Sequence, residues 1–515
     1  YSVLPNNGDG DFTFNRDSSA TRVGQNGLIQ EVGYFGNDLV SNGDFSNGST
    51  DWGLGSNWSV ADGKASCDGS ASNSMSQAST VGIASTTFKV SYDVLSISQG
   101  SIRITLGGVA GASASQTGSY SDFITATSTD RLRIFADSSA IASIDNIVVQ
   151  QVTGDQPRLN YDISNGVVQS CPSLLLEPAS TNLITYSEDF SQWDIKTRIL
   201  LTNDIATSPS GDLNASKIIP TSTSGTHQLR NNLTSVTGNY TYSIFAKKGE
   251  YKNILLWDDT LSGGVGVNLD NLSVFRDQNN QGYKIIDYGN DWIRISITHT
   301  FSSQIMRPSI YIYDNSATPQ ISFAGNGVDG LYIYGAQVET LSYATSYIPT
   351  NGASQTRAAE TCDKTGLTNY IGQTEGTLFL DFKVLSENVF NANIFNTNKN
   401  TTNAIAVIRT KSTKKLQVQT FFSSVNVNYV STNSYNVGDR IKLAFKYKSG
   451  DIKLYINGIL ENSATTTFTI SSSLDEINLA DNVTYFARKE AVHFNSLKLF
   501  NEALTDAQLQ TLTTL

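Results

Sequence analysis

The chain has 515 residues, only 16% of them charged, with a net charge of −11 and a pI near 4.8. That balance argues against a nucleic-acid partner, which requires a concentrated positive surface, and no run reaches the roughly 20 apolar residues of a membrane span. Length at about 150 residues per domain predicts three domains, and abundant Gly, Ser, Thr and Asn with 10% aromatics predicts short strands joined by tight turns.

Three widely spaced cysteines, Cys67, Cys171 and Cys362, give neither a zinc spacing nor a disulfide framework. His227, His299 and His493 are equally scattered. No signal peptide is visible, and the opening at Tyr1 rather than Met is read as a leader missing from the sequence.

Residues 1–36 carry short strand signals, Asp11 to Asn15, Ala20 to Val23 and Gly27 to Val32, too small to bury a core alone. They are expected to form a strap that packs with 155–182. Between these segments, 38–152 alternates polar and apolar residues along Thr87 to Val94 and Arg131 to Phe135, as a sandwich strand does. In 155–182 the prolines exclude a long helix, and Leu174 to Leu176 reads as an extended clasp.

A second strand-rich module spans 183–347, with Tyr240 to Ala246, Trp292 to Ile297 and Ser309 to Tyr313 as its plainest strands. Residues 348–375 read as a linker, and a third pattern fills 376–515. It holds a hairpin from Ile441 through Ile456, an Asn457-Gly458 turn and a terminal helix with Thr505 and Gln508 spaced as a capping box. Lys411, Lys414 and Lys415 read as a solvated hairpin end.

One phrase occurs twice. Asn42-Gly43-Asp44-Phe45-Ser46 followed by Trp52 returns as Ser187-Glu188-Asp189-Phe190-Ser191 followed by Trp193. Each copy opens a module that closes on an Asp-led strand, at Asp145 and at Asp329, so the two modules are read as relatives. The fold class predicted is all-β: tandem β-sandwiches, two jelly rolls followed by a concanavalin A-like sandwich, with a short C-terminal helix.

Phe14 to Val32, then Pro157-Arg158-Leu159-Asn160-Tyr161, Cys171 to Pro178, Thr181-Asn182-Leu183, Tyr186 to Phe190, Gly335 to Glu339, Tyr347-Ile348-Pro349-Thr350 and Thr356-Arg357-Ala358-Ala359 together resemble tail and appendage proteins of tailed bacteriophages. In many of those the first segment runs almost directly into the second, so 38–152 is expected to be an inserted domain. That module resembles jelly-roll carbohydrate-binding modules, the second is a more distant version, and 376–515 is similar to concanavalin A-like or laminin-G domains.

The resemblance implies a virion structural protein of fibre, spike or decoration type on the outside of the particle, assembled in the host cytoplasm. Expected partners are other virion proteins, further copies of the chain, with a trimer favoured, and bacterial surface polysaccharide; nucleic acid and membrane insertion are not expected. Carbohydrate-binding jelly rolls often carry a structural Ca2+, which the resemblance places at Asp44 and Asp145 in the first module and at Glu188 or Asp189 with Asp329 in the second, against the alternative that these acids hydrogen-bond to backbone. Sugar recognition needs aromatic faces and planar polar groups, for which Trp52, Trp58, Tyr120, Trp257, Asp258 and Asp259 are the candidates, against the alternative that the aromatics are core.

No catalytic residues are assigned. The strand from Thr377 to Phe382 offers only Asp381, and Asp475-Glu476 reads as a solvated loop pair. The expected protein is therefore not an enzyme; the alternatives are a purely structural decoration protein or a polysaccharide depolymerase.

Overall fold

Phe88, Val90, Tyr92 and Val94 are buried at alternate positions of Thr87–Gln99, so this strand turns one face to a core and the other outward. The computed structural model describes residues 12–16, 18–32, 35–137, 139–152, 157–386, 391–398, 403–422, 425–479 and 491–515. The chain divides into two units, 33–154 and a larger one formed by 1–32 with 155–515.

The smaller unit is a β-sandwich. One sheet has the order Val109–Ala114, Ile102–Leu106, Asp130–Ala136, Asn73–Gly82, Trp52–Gly53, and the other Gly118–Thr125, Thr87–Gln99, Ile141–Val152, Lys64–Asp68, Trp58–Ala61. Met75, Phe88, Ile104, Leu132, Ile134 and Ile144 fill the space between them.

In the larger unit a second sandwich repeats this plan. Its sheets run Ile195–Thr197, Gly225–Arg230, Pro308–Tyr313, Asn253–Asp258, Gly263–Asn268, Val274–Gln278, and Ile199–Thr207, Leu213–Pro220, Leu331–Glu339, Ser235–Lys247, Trp292–Ile305, Gly282–Asp287. Counted along the chain, equivalent strands take equivalent sheet positions in both sandwiches. The second adds Val274–Gln278 at the edge of one sheet and Gly282–Asp287 at the edge of the other. The repeated phrase thus marks a repeated fold.

The third sandwich gathers pieces from four places. One seven-stranded sheet starts with Thr13–Asn15 and Thr361–Lys364, and the other with Arg158–Asn160 and Ser173–Leu176, the last paired to Val492–Phe500. The boundary expected at 376 therefore omits strands supplied by the strap segments and by the expected linker, which cover sheet edges that would otherwise expose unpaired backbone. Within the strap, Tyr161 N donates to Val23 O at 3.0 Å, and Val23 N to Asn160 Oδ1 at 2.8 Å.

The Asn457-Gly458 turn follows Ile452–Ile456 with φ of 50° and 80°, the paired positive values of a type I′ turn. Helix Asp506–Thr513 has the capping box read from the sequence and buries Leu509 with Phe379, Ala444 and Tyr455. Among the described residues no helix is long and apolar enough to cross a membrane.

Candidate functional site

The two copies of the repeated phrase build one device. Asp44 Oδ1 accepts Ser46 N at 3.2 Å and Ser46 Oγ at 2.9 Å; Asp189 Oδ1 accepts Ser191 N at 3.0 Å and Ser191 Oγ at 2.6 Å. Each turn drops its phenylalanine into a core beside the tryptophan, with ring centroids 5.4 Å apart for Phe45 and Trp52 and 5.1 Å for Phe190 and Trp193. Each indole then donates back to a carbonyl, Trp52 to Asn42 O and Trp193 to Tyr186 O. The acid closes the turn by the Asx geometry that suits Asp followed by Ser.

These bonds bear on the expected calcium positions. Asp189 also accepts Asn203 Nδ2 at 2.9 Å and Gln192 Nε2 at 3.1 Å. Glu188 accepts Tyr334 Oη and Tyr347 Oη, each at 2.9 Å, and Asn214 Nδ2 at 3.1 Å, while burial holds its carboxyl above the usual range. Asp329 accepts Asn326 Nδ2 at 2.7 Å. The donors surrounding Glu188 and Asp189 do not fit a cation, which needs open oxygens. In the first sandwich Asp145 Oδ1 accepts Asn146 N at 2.7 Å, so Asp44 and Asp145 both make these bonds through Oδ1. Among the described residues no group of three or more His, Cys, Asp or Glu is placed to hold a metal ion.

The aromatic candidates are more enclosed than expected. Trp52 and Trp58 belong to the core of the first sandwich, where Trp58 Nε1 donates to Asn73 O. Tyr120 lies half-buried against Tyr92, centroids 5.4 Å apart and nearly parallel, and donates to Gln116 O. Trp257, a candidate for a sugar-stacking face, is 7% exposed.

Strand alternation explains how Trp257 is buried. Ile254 and Leu256 point into the core and Asp258 follows them inward, whereas Leu255 and Trp257 lie in a separate outer cluster with Tyr313. Asp258 accepts Thr260 N and Leu261 N at 2.9 Å and Arg307 N at 2.7 Å. It is a buried turn acid rather than a ligand group, and desolvation raises its carboxyl despite these donors.

Asp259 continues the outer face. It accepts Tyr311 Oη at 2.7 Å, Ser309 Oγ at 2.9 Å, Arg230 Nη1 at 3.2 Å and Gln228 Nε2. Beside it the Arg276 guanidinium covers the Trp257 ring at 4.5 Å and donates to Tyr313 Oη at 2.8 Å. The face therefore presents Gln228, Arg230, Tyr311 and Arg276, none of which the sequence reading singled out. Their only sequence signal is alternate spacing on neighbouring strands, which becomes visible once the register is known.

The segments with the phage-type resemblance meet elsewhere, in a buried ion cluster. Arg158 Nε donates to Glu360 Oε1 at 2.6 Å and its Nη2 to Glu360 Oε2, while Nη1 meets Glu177 Oε2 at 2.9 Å and Ser346 Oγ at 2.6 Å. Arg16 Nη1 reaches Glu360 Oε1 at 2.9 Å, and Arg357 Nη1 lies 3.1 Å from Glu177 Oε2. Thr345 joins Arg357 to Glu339 by accepting at Oγ1 from one and donating to the other.

All six charged groups are buried, and three guanidinium groups balance three carboxylates. The neighbouring arginines hold Glu177 down to about 2 and Glu360 below the usual carboxylate range, against desolvation that raises both. Thr21, Asn182, Gln337 and Tyr347 complete the polar surroundings through bonds such as Thr21 Oγ1 to Tyr347 O at 2.5 Å and Ile348 N to Gln337 Oε1 at 2.6 Å. Segments read as strap and linker thus supply the charged centre of the larger unit.

No family model matches this chain, and no curated protein does. Among solved structures it is similar to the CBM40 module of the Ruminococcus gnavus IT-sialidase, at 15% identity and TM-score 0.25 over 28% of this chain and 84% of that one. It is also similar to mouse laminin α1 domains LG4-5, at 8% identity and TM-score 0.22 over 68% and 96%. A third likeness is to Trypanosoma rangeli sialidase, at 9% identity and TM-score 0.23 over 97% and 98%. Likenesses at this level carry no argument about ligand or reaction.

Proposed function

We propose that this chain is a non-enzymatic appendage protein of a tailed-bacteriophage virion that displays β-sandwiches toward bacterial surface glycans. The observation that carries the reading is the convergence of segments scattered from Arg16 to Glu360 on one balanced, buried ion cluster. Such a cluster is costly unless every member is paired. Arg16, Arg158, Glu177, Glu339 and Arg357 come from the motifs that resemble phage appendage proteins, and Glu360 follows the last of them directly, so their order reads as the requirement of a shared scaffold.

The glycan side of the proposal rests on the outer face around Asp259, where planar Gln, Arg, Asp and Tyr groups lie beside the Trp257–Arg276 pair, the chemistry that selects hydroxyls and ring faces. Weak binding at one such face gains strength by avidity when further copies of the chain, in a trimer and with other virion proteins, present it together on the particle surface. The non-enzymatic reading is supported by Asp381, held by Arg440 at 3.0 and 2.7 Å, and by Asp475, which accepts Thr368 N at 3.1 Å.

A structural calcium belongs to this proposal only in the first sandwich, at Asp44 and Asp145. Addition of calcium after chelation would then raise the melting temperature of that unit; no shift removes the ion from the proposal.

The test of the main reading is binding of the purified chain to host surface polysaccharide and to a glycan array, with Arg276→Ala and Tyr311→Phe weakening the signal. Absence of any signal, together with normal host adsorption by phage lacking the protein, overturns it. A purely structural role is the second reading, favoured by the way Arg276 caps Trp257 and Asp259 closes its bonds within the protein.

A further inference from the structure

A cleft of about 510 Å³ lies in the larger unit where the second sandwich faces Leu385, Lys411 and Val437 of the third. Its wall carries Lys284, Arg294 and Lys411, and among the described lining residues there is no aspartate or glutamate. In a chain of net charge −11 this is a local reversal of sign, and a cleft lined by one sign of charge focuses its field on an incoming counter-charge.

Among the described residues Lys284 and Arg294 form no ion pair, although Asp162 lies near enough to Lys284 to act on it electrostatically. Arg294 is 5% exposed; its Nη1 donates to Thr345 O at 2.7 Å and its Nη2 to Ser243 Oγ at 3.1 Å, above the Phe245 ring. Its Nε is buried without an acceptor, and no carboxylate pairs with it among the described residues. Lys284 is exposed at the cleft surface, yet desolvation by the flanking walls, with Lys383 and Arg294 nearby, pushes its ammonium pKa down against the opposing pull of Asp162. Asp162 makes its ion pairs with the neighbouring Lys383 and His493, at 2.8 and 2.7 Å.

The rest of the wall suits a saccharide. Tyr283 is 42% exposed, and the Ser296 and Thr298 hydroxyls line the floor. An exposed ring offers a stacking face for sugar C–H groups, and hydroxyls offer both donors and acceptors.

We propose that this cleft binds an acidic saccharide, with carboxylates of a uronate-type chain set against Lys284 and Arg294, a sugar ring on Tyr283 and hydroxyls toward Ser296 and Thr298. The proposal rests on the glycan-binding reading and gives it a second site and a substrate class.

The test is isothermal titration of the full chain with an oligogalacturonate and with a neutral oligoglucan of the same length. The expected result is binding of the acidic ligand that weakens with salt, a loss of about tenfold in Kd, or about 1.4 kcal/mol, in Lys284→Ala and in Tyr283→Ala, and a larger loss in Lys284→Glu. Lys64→Glu in the other unit makes the same change of net charge and leaves Kd unaltered. Melting temperatures of all variants are expected to match the parent, because Lys284 and Tyr283 are exposed.

Oligogalacturonate binding that is absent, or equal in the parent and Lys284→Glu, overturns the cleft. If neutral or host glycans still bind in that case, the broader glycan reading stands; if nothing binds, both fail.

Discussion

Arg158 and Glu360 stand 202 residues apart in the chain and face each other through two parallel hydrogen bonds at the centre of the larger unit, both side chains 0% exposed. Glu360 also holds Arg16. Glu360→Ala would leave two buried guanidinium groups short of a counter-charge, at a cost of about 3–5 kcal/mol. Urea unfolding followed by circular dichroism should show this loss in the transition of the larger unit, with the transition of 33–154 unchanged.

The same cluster sets an acid limit. Glu177 and Glu360 are depressed in the folded state, Glu177 to about 2. A carboxylate with a depressed folded value contributes stability that is fully present above its unfolded value, near 4.5, and is lost as pH falls toward 2. The contribution of Glu177 and Glu360 to the urea midpoint of the larger unit is therefore expected to be flat from neutrality to about pH 5 and to fall steeply below about 4.5. A midpoint that holds down to pH 2 would show that these carboxylates are not ionised partners of the arginines.

Glu188 behaves in the opposite sense. Its carboxyl is raised by burial, so the folded state binds the proton more tightly and its contribution declines as pH rises through the folded value. Glu188→Gln keeps an acceptor for Tyr334 and Tyr347 and removes the buried charge. At neutral pH it should therefore cost less than about 1 kcal/mol or stabilise the protein. Thermal melts at pH 4 and pH 7 would check this, the variant gaining relative to the parent at the higher pH.

All five tryptophans lie at 7% exposure or less. Their emission is expected to be blue-shifted and poorly quenched by iodide until the protein unfolds. Trp58→Ala should cost about 3–5 kcal/mol, as a large core truncation does, in the unit 33–154. A Trp58 variant that kept full stability while losing glycan binding would return this residue to the list of ligand contacts.

What could be read from the sequence followed how local each signal is. The repeated Asp-Phe-Ser phrase announced two related sandwiches because its turn, its buried ring and its indole bond are all made within a few residues. Long strands such as Thr87–Gln99 and Trp292–Ile305 were visible through alternation. Thr13–Asn15, Ser173–Leu176 and Thr361–Lys364 are three or four residues long and gain their place only from partners far away in the chain, so their membership of the third sandwich could not be read locally. The surroundings of Trp257 could not be read locally because adjacent residues on a strand face opposite ways: Asp258 turns inward to backbone donors, and Arg276 from another strand supplies the cover.

Gly43 shows why the two copies of the phrase differ where they do. Its carbonyl accepts Ile147 N at 3.0 Å, and a Cβ placed on it would lie 2.0 Å from Ile147 O, closer than any real contact. The backbone of the closing strand cannot retreat without losing that bond. In the second copy the corresponding bond is made one residue earlier, from Ala336 N to Ser187 O at 2.9 Å, which frees the next position to carry the Glu188 side chain toward Tyr334 and Tyr347. Gly43→Ala should therefore destabilise the unit 33–154 by about 1–3 kcal/mol through overpacking, although the matching position of the other sandwich tolerates a glutamate. Calorimetry that resolves the two units would show the lower-temperature shift confined to 33–154, and an unshifted transition would mean that the two strands are not held this closely.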